Sequence, residues 1–351
     1  MTRTLVIFAT VTLTGCAVAP QVMHYYPAGT ESETQITWPA KPAEPKLEYA
    51  GQLLGESNFS AEEGVEESKG SRFLRWIAGI GRSRAAPRQL IRPQTGIVDP
   101  NGRILVTDVG IPGVMVFDEQ AAKLTIWREA ATNQAFVSPI GIASTQDGKI
   151  LVSDSALGFI AVLSPDGGPL SRMGSDVLSR PTGIAVDPDT GRIFVADTPD
   201  DNIKVFASDG HFITTLGKSG TAPGEFNGPT YLNFDHGRLY VTDTLNARVQ
   251  VLAVDGSPVS SLGDRGLYVG NLVRPKGVTT DADGNVYIVE SYFDHLLIYD
   301  MNGEFLLPIG GSGSAPGQFF LPAGAWSDQD GRIFIADMYN GRIVILLYLR
   351  S

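Results

Sequence analysis

The chain has 351 residues, of which 43% are apolar, 19% are charged and 40 are glycine. That is enough apolar surface for a large core, in a composition suited to a turn-rich all-β protein. The formal net charge of −11 disfavours nucleic acid or an acidic membrane surface as a partner for the whole molecule, and the single cysteine excludes disulfides and multi-thiolate metal sites.

Residues 1–15 read as a signal peptide. Arg3 is a short basic start, and Leu5–Leu13 is an apolar stretch too short to span a bilayer as a helix. Leu13-Thr14-Gly15-Cys16 resembles a bacterial lipobox, which implies lipidation of Cys16 and a membrane anchor in the cell envelope. A non-Asp residue, Ala17, follows the cysteine, and under the usual sorting rule it points to the outer membrane, on its periplasmic side or at the surface. Residues 16–45 carry Pro20, Pro27, Pro39, Pro42 and Pro45 and little strand periodicity, the pattern of an extended tether.

Residues 46–55, KLEYAGQLLG, look like an outer strand without a neighbour of its own. They resemble His211–Gly217 and Pro258–Gly263, whereas the last repeat of the chain runs out after its third strand at Ile343–Leu349. An open ring would leave unpaired strand edges. Residues 46–55 are therefore expected to supply the missing outer strand.

Residues 56–91 form an insertion with a sharp charge contrast, acidic over 56–69 and arginine-rich over 70–92. Phe73, Trp76, Ile77 and Ile80 follow helical spacing, which predicts a short amphipathic, Arg-rich helix over 71–84. Two roles fit it: an interfacial helix touching headgroups or a partner, or a helix folded onto the body of the protein.

From residue 92 to 351 the chain repeats. The unit is clearest at Arg180–Gly217, where four short runs rich in Ile, Val and Phe alternate with Asp-, Pro- and Gly-bearing turns. A leading proline recurs at Pro93, Pro139, Pro181, Pro229, Pro275 and Pro322, at steps of 46, 42, 48, 46 and 47 residues. An acidic residue closes the second strand of each copy: Asp108, Asp154, Asp197, Asp243, Glu290 and Asp337. Four strands per copy, six copies and this period indicate an all-β, six-bladed β-propeller spanning 46–351. The pattern Pro-x-Gly-[VI]-[AV]-[VT]-Asp followed by Gly-x-[IVL]-[YFL]-[VI]-[AT]-Asp resembles the NHL repeat, whose four-stranded antiparallel blades host many unrelated functions.

Propeller geometry gathers the second-to-third-strand loops and the blade-to-blade loops on one face, and the resemblance makes this the usual ligand face. Arg92, Arg180 and Arg274 stand directly before leading prolines, and Tyr231 and Lys276 just after them. Tyr292, Phe293, Asp294, His295 and Tyr339 fall in second-to-third-strand loops. Cations with exposed aromatics suit an anionic or peptide-like partner. The plainer alternative is that each Arg-Pro braces the neighbouring blade. The six acidic residues are expected to accept hydrogen bonds from their own following loops rather than to form a carboxylate ring, because scaffold repeats in every blade and a site breaks the symmetry.

Val106–Gly110 resembles the first-blade segment of the zinc-dependent peptidyl-hydroxyglycine lyases, also six-bladed NHL propellers. The ligand histidine that this resemblance implies is absent, since the chain continues Ile111-Pro112-Gly113. Of the four histidines His24 lies in the tether, His211 and His236 fall in turns of the opposite face, and only His295 is near the mouth, so a three-histidine zinc site is excluded. The expected role is a membrane-anchored binding or scaffold lipoprotein without metal or cofactor, presenting its loop face to a protein, peptide or glycan of the envelope. The alternative is a metal-dependent lyase or a lactonase-type hydrolase, with calcium at the channel mouth.

Overall fold

The computed structural model describes residues 21–25, 36–40, 42–61 and 87–349. Cys16 and the expected helix over 71–84 lie outside the described residues. Six antiparallel sheets form the ring. Five are four-stranded, and the blade at the chain ends has five strands. Blade 1 runs Pro93–Val98, Ile104–Asp108, Gly113–Asp118 and Lys123–Trp127 from the axis outward. Blades 2 to 5 repeat this order, beginning at Pro139, Pro181, Pro229 and Pro275.

Each second strand is apolar on both sides because it is a middle layer. Ile104 and Val106 pack toward blade 6, and Leu105 packs toward blade 2. The core is accordingly six separate clusters, one at each blade–blade junction. No blade buries its own faces alone, which explains why the period must repeat until the ring closes. Outermost strands have only one covered edge and face, and Phe212–Leu216 is largely exposed along its length.

Leu47–Leu53 closes blade 6, antiparallel to Arg342–Tyr348, with Leu53 opposite Ile343 and Leu47 opposite Tyr348. A register shift between Ile345 and Leu346 lets the strand serve both neighbours. Leu47 and Tyr49 join the core shared with blade 5, and Leu53 joins the core shared with blade 1.

Two described pieces of the expected tether are docked on this blade instead of standing free. Thr37–Trp38 adds a fifth strand, pairing with Leu47 and Glu48, and Ile36 and Trp38 pack on the core beneath. Gln21–Met23 pairs with Phe59–Ala61, and Tyr25 covers Gly51 so closely that a Cβ there would stand 2.7 Å from its own. Asn58, fully buried, ties the pieces together: its Oδ1 accepts from the amides of Leu54 and Gly55, and its Nδ2 donates to the carbonyls of His24 and Gln52. Apolar residues between the prolines, Ile36 and Trp38, outweigh the spacer composition.

Neighbouring blades are also clasped by hydroxyls. The residue before the closing acid donates to the innermost strand of the next blade: Thr107 to the Ile140 carbonyl at 2.6 Å, Ser153 to that of Thr182, and Thr242 to that of Lys276 at 2.6 Å.

Candidate functional site

Register fixes which residues share a face. Pro93 lies opposite Asp108, and Val98 lies opposite Ile104. The leading prolines, the closing acids and the loops beyond them therefore form an upper face, and the tight turns after the first strand form a lower one.

On the upper face the acids hold the loops. Asp108 accepts from the amides of Ile91 (2.7 Å), Arg92 (3.0 Å), Gly110 (2.7 Å) and Ile111 (3.0 Å). Asp154 does the same for Val137, Ser138, Ala156 and Leu157. Glu290, one methylene longer, still takes Val273, Arg274 and Tyr292. Asp108, Asp154 and Glu290 thus pin the loop arriving at the blade as well as their own following loop, a second duty that spacing alone did not show, whereas Asp197 takes only the arriving amides of Ser179 and Arg180. In blades 4 and 6 the acid also binds an arginine: Asp243 with Arg248 and Asp337 with Arg342, each at 2.8 Å, and both guanidiniums extend to carbonyls of the long preceding loop. These carboxylates are spent on the scaffold.

The cations are not. Arg92, Arg180 and Arg274 are exposed, and among the described residues none of their side chains has a hydrogen-bond or carboxylate partner. Lys276 is half-buried and equally unpartnered; burial, followed by the Arg274 charge, pushes its pKa below the ordinary lysine value. Tyr292 is 55% exposed and meets Phe293 edge-on, and Tyr339 is 62% exposed and meets Phe320 in the same way. His295 begins the third strand of blade 5, opposite Glu290. Spacing missed Phe320, Ile91 and Val137, which lie two residues before leading prolines and are exposed. They continue the aromatic sector from blades 5 and 6 onto blades 1 and 2. Their signal was available, as apolar residues at a position where blades 3 and 4 carry Ser179 and Asn227.

Tyr231 is a correction. It is buried, not on the upper face: it occupies the third position of the innermost strand and lines the central channel. Burial raises its pKa. The same position is glycine in four blades because the inner strands nearly touch there. A Cβ on Gly277 would lie 2.2 Å from the Ala325 nitrogen, and Gly277 itself donates to the Ala323 carbonyl at 2.8 Å. This packing narrows the central channel to a cavity of 190 Å³.

The larger concavity opens on the lower face. A bowl of 800 Å³ lies over blades 4, 5, 6 and 1 and joins the channel past Ser144, Asn233 and Phe234. His24 sits on the wall of blade 6, and His211 and His236 sit in lower-face turns. Among the described residues no three His, Cys, Asp or Glu side chains are grouped to hold a metal ion.

Comparison with known proteins gives the same architecture. Residues 184–251 match a family described as "6-bladed beta-propeller". Peptidyl-glycine alpha-amidating monooxygenase of Mus musculus is 31% identical over 131 residues, covering 33% of this chain and 13% of that protein. NHL-repeat-containing protein 4 of Homo sapiens is 36% identical over 75 residues, covering 21% of this chain and 59% of that protein. Among solved structures, an auxiliary nutrient binding protein from Bacteroides thetaiotaomicron superposes with a TM-score of 0.58 at 11% identity, over 75% of this chain and 70% of the other. A streptogramin B lyase superposes with a TM-score of 0.54 at 16% identity, over 74% and 94%. At these identities the likeness is one of fold.

Proposed function

We propose that the chain is a lipid-anchored docking protein of the cell envelope, whose upper loop face captures a protein, peptide or glycan partner bearing acidic groups. One observation carries this reading. Every closing acid of that face is turned inward onto backbone amides, while Arg92, Arg180, Arg274 and Lys276 remain without counter-charges beside exposed Tyr292, Phe320 and Tyr339. Arginine and aromatic side chains on a rigid, shallow face are the composition of protein-binding hot spots. A tether from Cys16 would hold that face near other envelope components and raise its effective concentration. A nutrient-binding protein among the solved neighbours is consistent with a propeller used for capture.

The test is capture from the cell's own envelope, quantified for the parent and for Arg180→Glu with Arg274→Glu. The double variant should lose capture with an unchanged melting temperature; retained capture overturns the assignment of the face. Labelling with radioactive palmitate, lost in Cys16→Ser, tests the anchor separately. The metal-dependent lyase or hydrolase alternative requires a calcium or EDTA shift in melting temperature, which the docking reading does not.

A further inference from the structure

The outermost strand of a blade is an edge, paired on one side and, among the described residues, open on the other. An open edge invites another chain to pair with it, and proteins block it with proline, with charge or with a cover. Five of the six edges of this ring are blocked. Blade 1 has Lys123, and Arg88 donates to the Leu124 carbonyl at 3.2 Å. Pro169 and Arg172 stand on the outer strand of blade 2, Pro258 opens that of blade 4, and Pro308 interrupts that of blade 5. Blade 6 is covered by Thr37–Trp38, which pairs with Leu47 and Glu48. Blade 3 has none of these devices among the described residues.

Its outer strand, Phe212–Leu216, reads Phe-Ile-Thr-Thr-Leu, with no charge and no proline, and all but the last are strong strand formers. Ile213 is 47% exposed and Phe212 is 45% exposed, the latter held edge-on to Phe206. Blade 6 shows what such an edge accepts in this fold. It takes a short extended segment whose backbone carbonyls at Ile36 and Trp38 accept from Tyr49 and Lys46, seated by the Trp38 side chain.

The sequence around blade 3 defines which segment suits it. An antiparallel copy of the same strand, centred on Thr214, sets Phe212 opposite Leu216 and Ile213 opposite Thr215. Just beyond the strand it brings Lys218 of each copy beside Asp209 of the other. Both side chains are exposed, at 77% and 65%, and within the chain they meet Glu225 and His211. Parallel pairing would instead set Lys218 beside Lys218 and Asp209 beside Asp209. Exposed charges add little affinity, but they select orientation and register.

We propose that the chain pairs with a second copy of itself through the blade 3 edge. The two Phe212–Leu216 strands join antiparallel across a two-fold axis, and two four-stranded blades become one continuous sheet. The contact lies on the outer wall, so it is independent of the upper face and leaves that face open in both copies.

Sedimentation velocity of the full-length protein in mild detergent, over a range of concentrations, tests this. A dimer is expected. Ile213→Lys should raise its dissociation constant about tenfold or more, because a lysine there restores the missing block. Val259→Lys, at the equivalent position of blade 4 and 49% exposed, should leave it unchanged. Mild oxidation in the cell envelope gives a second readout, with the parent, whose one cysteine is Cys16, as the blank. Thr214→Cys meets its own counterpart with Cα atoms about 4.5–5.5 Å apart and should form a disulfide-linked dimer; Thr215→Cys should do so far less. A parent that sediments as a monomer throughout overturns the proposal, as does a dimer that survives Ile213→Lys or is lost equally in Val259→Lys. Faster cross-linking of Thr215→Cys overturns the register.

Discussion

Replacing Asp108 separates a scaffold acid from a ligand-binding one. The side chain is fully buried and, among the described residues, has no cationic partner; its two oxygens hold four backbone amides at 2.7–3.0 Å. Hydrogen bonds to a charged acceptor contribute roughly 1.5–3 kcal/mol each, and a buried donor left unpaired costs about 1–3 kcal/mol. Water can reach some of these amides once the side chain is gone, since the loops are only partly buried. Asp108→Ala is therefore expected to lose about 3–6 kcal/mol, and Asp108→Asn about 2–4 kcal/mol, because its NH₂ faces two donors. Urea denaturation followed by far-UV circular dichroism measures both, with Asp147→Ala as a surface control expected within about 0.5 kcal/mol of the parent. If the acids formed a cation ring instead, removing one of several mutually repelling carboxylates would stabilise the metal-free protein. A loss under about 1 kcal/mol for Asp108→Ala, or any gain, would refute the anchoring argument.

Leu53→Ala removes a fully buried side chain from the closing strand and should cost about 2–5 kcal/mol in the same denaturation experiment. Gly277→Ala places a Cβ 2.2 Å from the Ala325 nitrogen and 2.5 Å from the Gly324 carbonyl carbon, so blades 5 and 6 must separate; a thermal melt should fall clearly, and an unchanged one contradicts the contact. Tyr231→Gly restores the residue that the repeat favours, yet it should destabilise by about 3–5 kcal/mol because it empties a buried aromatic position; a stabilised variant would show that Tyr231 contributes no packing at the channel. For Lys276 the sign runs with alkalinity: burial and Arg274 hold its pKa below the ordinary lysine value of 10.5, so its ammonium is lost early as pH rises. Capture of an acidic partner should weaken toward that range, and Lys276→Met should flatten the profile.

Much of the fold was legible because it is written in spacing. The leading prolines and the closing acids mark opposite ends of paired strands, as Pro93 and Asp108 are in the ring. The likeness of residues 46–55 to the outer strands His211–Gly217 and Pro258–Gly263, together with a final repeat short of one strand, was enough to assign the closure. What spacing could not give is the direction of a side chain within a blade. Tyr231 stands near a leading proline as Lys276 does, but one step along an extended strand reverses the side chain, and Tyr231 is buried along the channel while Lys276 stays half-exposed. Nor could composition reveal that Ile36 and Trp38 find an open strand edge to cover. The bowl was hidden for a third reason: its walls are turns of blades 1, 4, 5 and 6 that only the closed ring brings together.

The upper face acquires its polarity from the scaffold itself. On the upper face the repeat needs a carboxylate at the end of every second strand to gather loop amides, and that need draws the negative charge inward and out of reach. Arginines in the arriving loops then stay uncompensated wherever they occur, as at Arg92, Arg180 and Arg274. On the lower face the side chains of the turn-capping aspartates Asp99, Asp281 and Asp328 are buried as well, Asp99 paired with Arg103 and Asp328 with Arg332. Nothing in this arrangement requires a ligand, so the upper face becomes a site only where the repeat is broken. The informative breaks are the aromatic pairs Tyr292–Phe293 and Phe320–Tyr339. A partner that engages the upper face is therefore expected to sit off the propeller axis, over the aromatic pairs of blades 5 and 6 with Arg180 and Arg274 as its charged contacts, and substitutions in the second-to-third-strand loop of blade 2 should leave its capture unchanged.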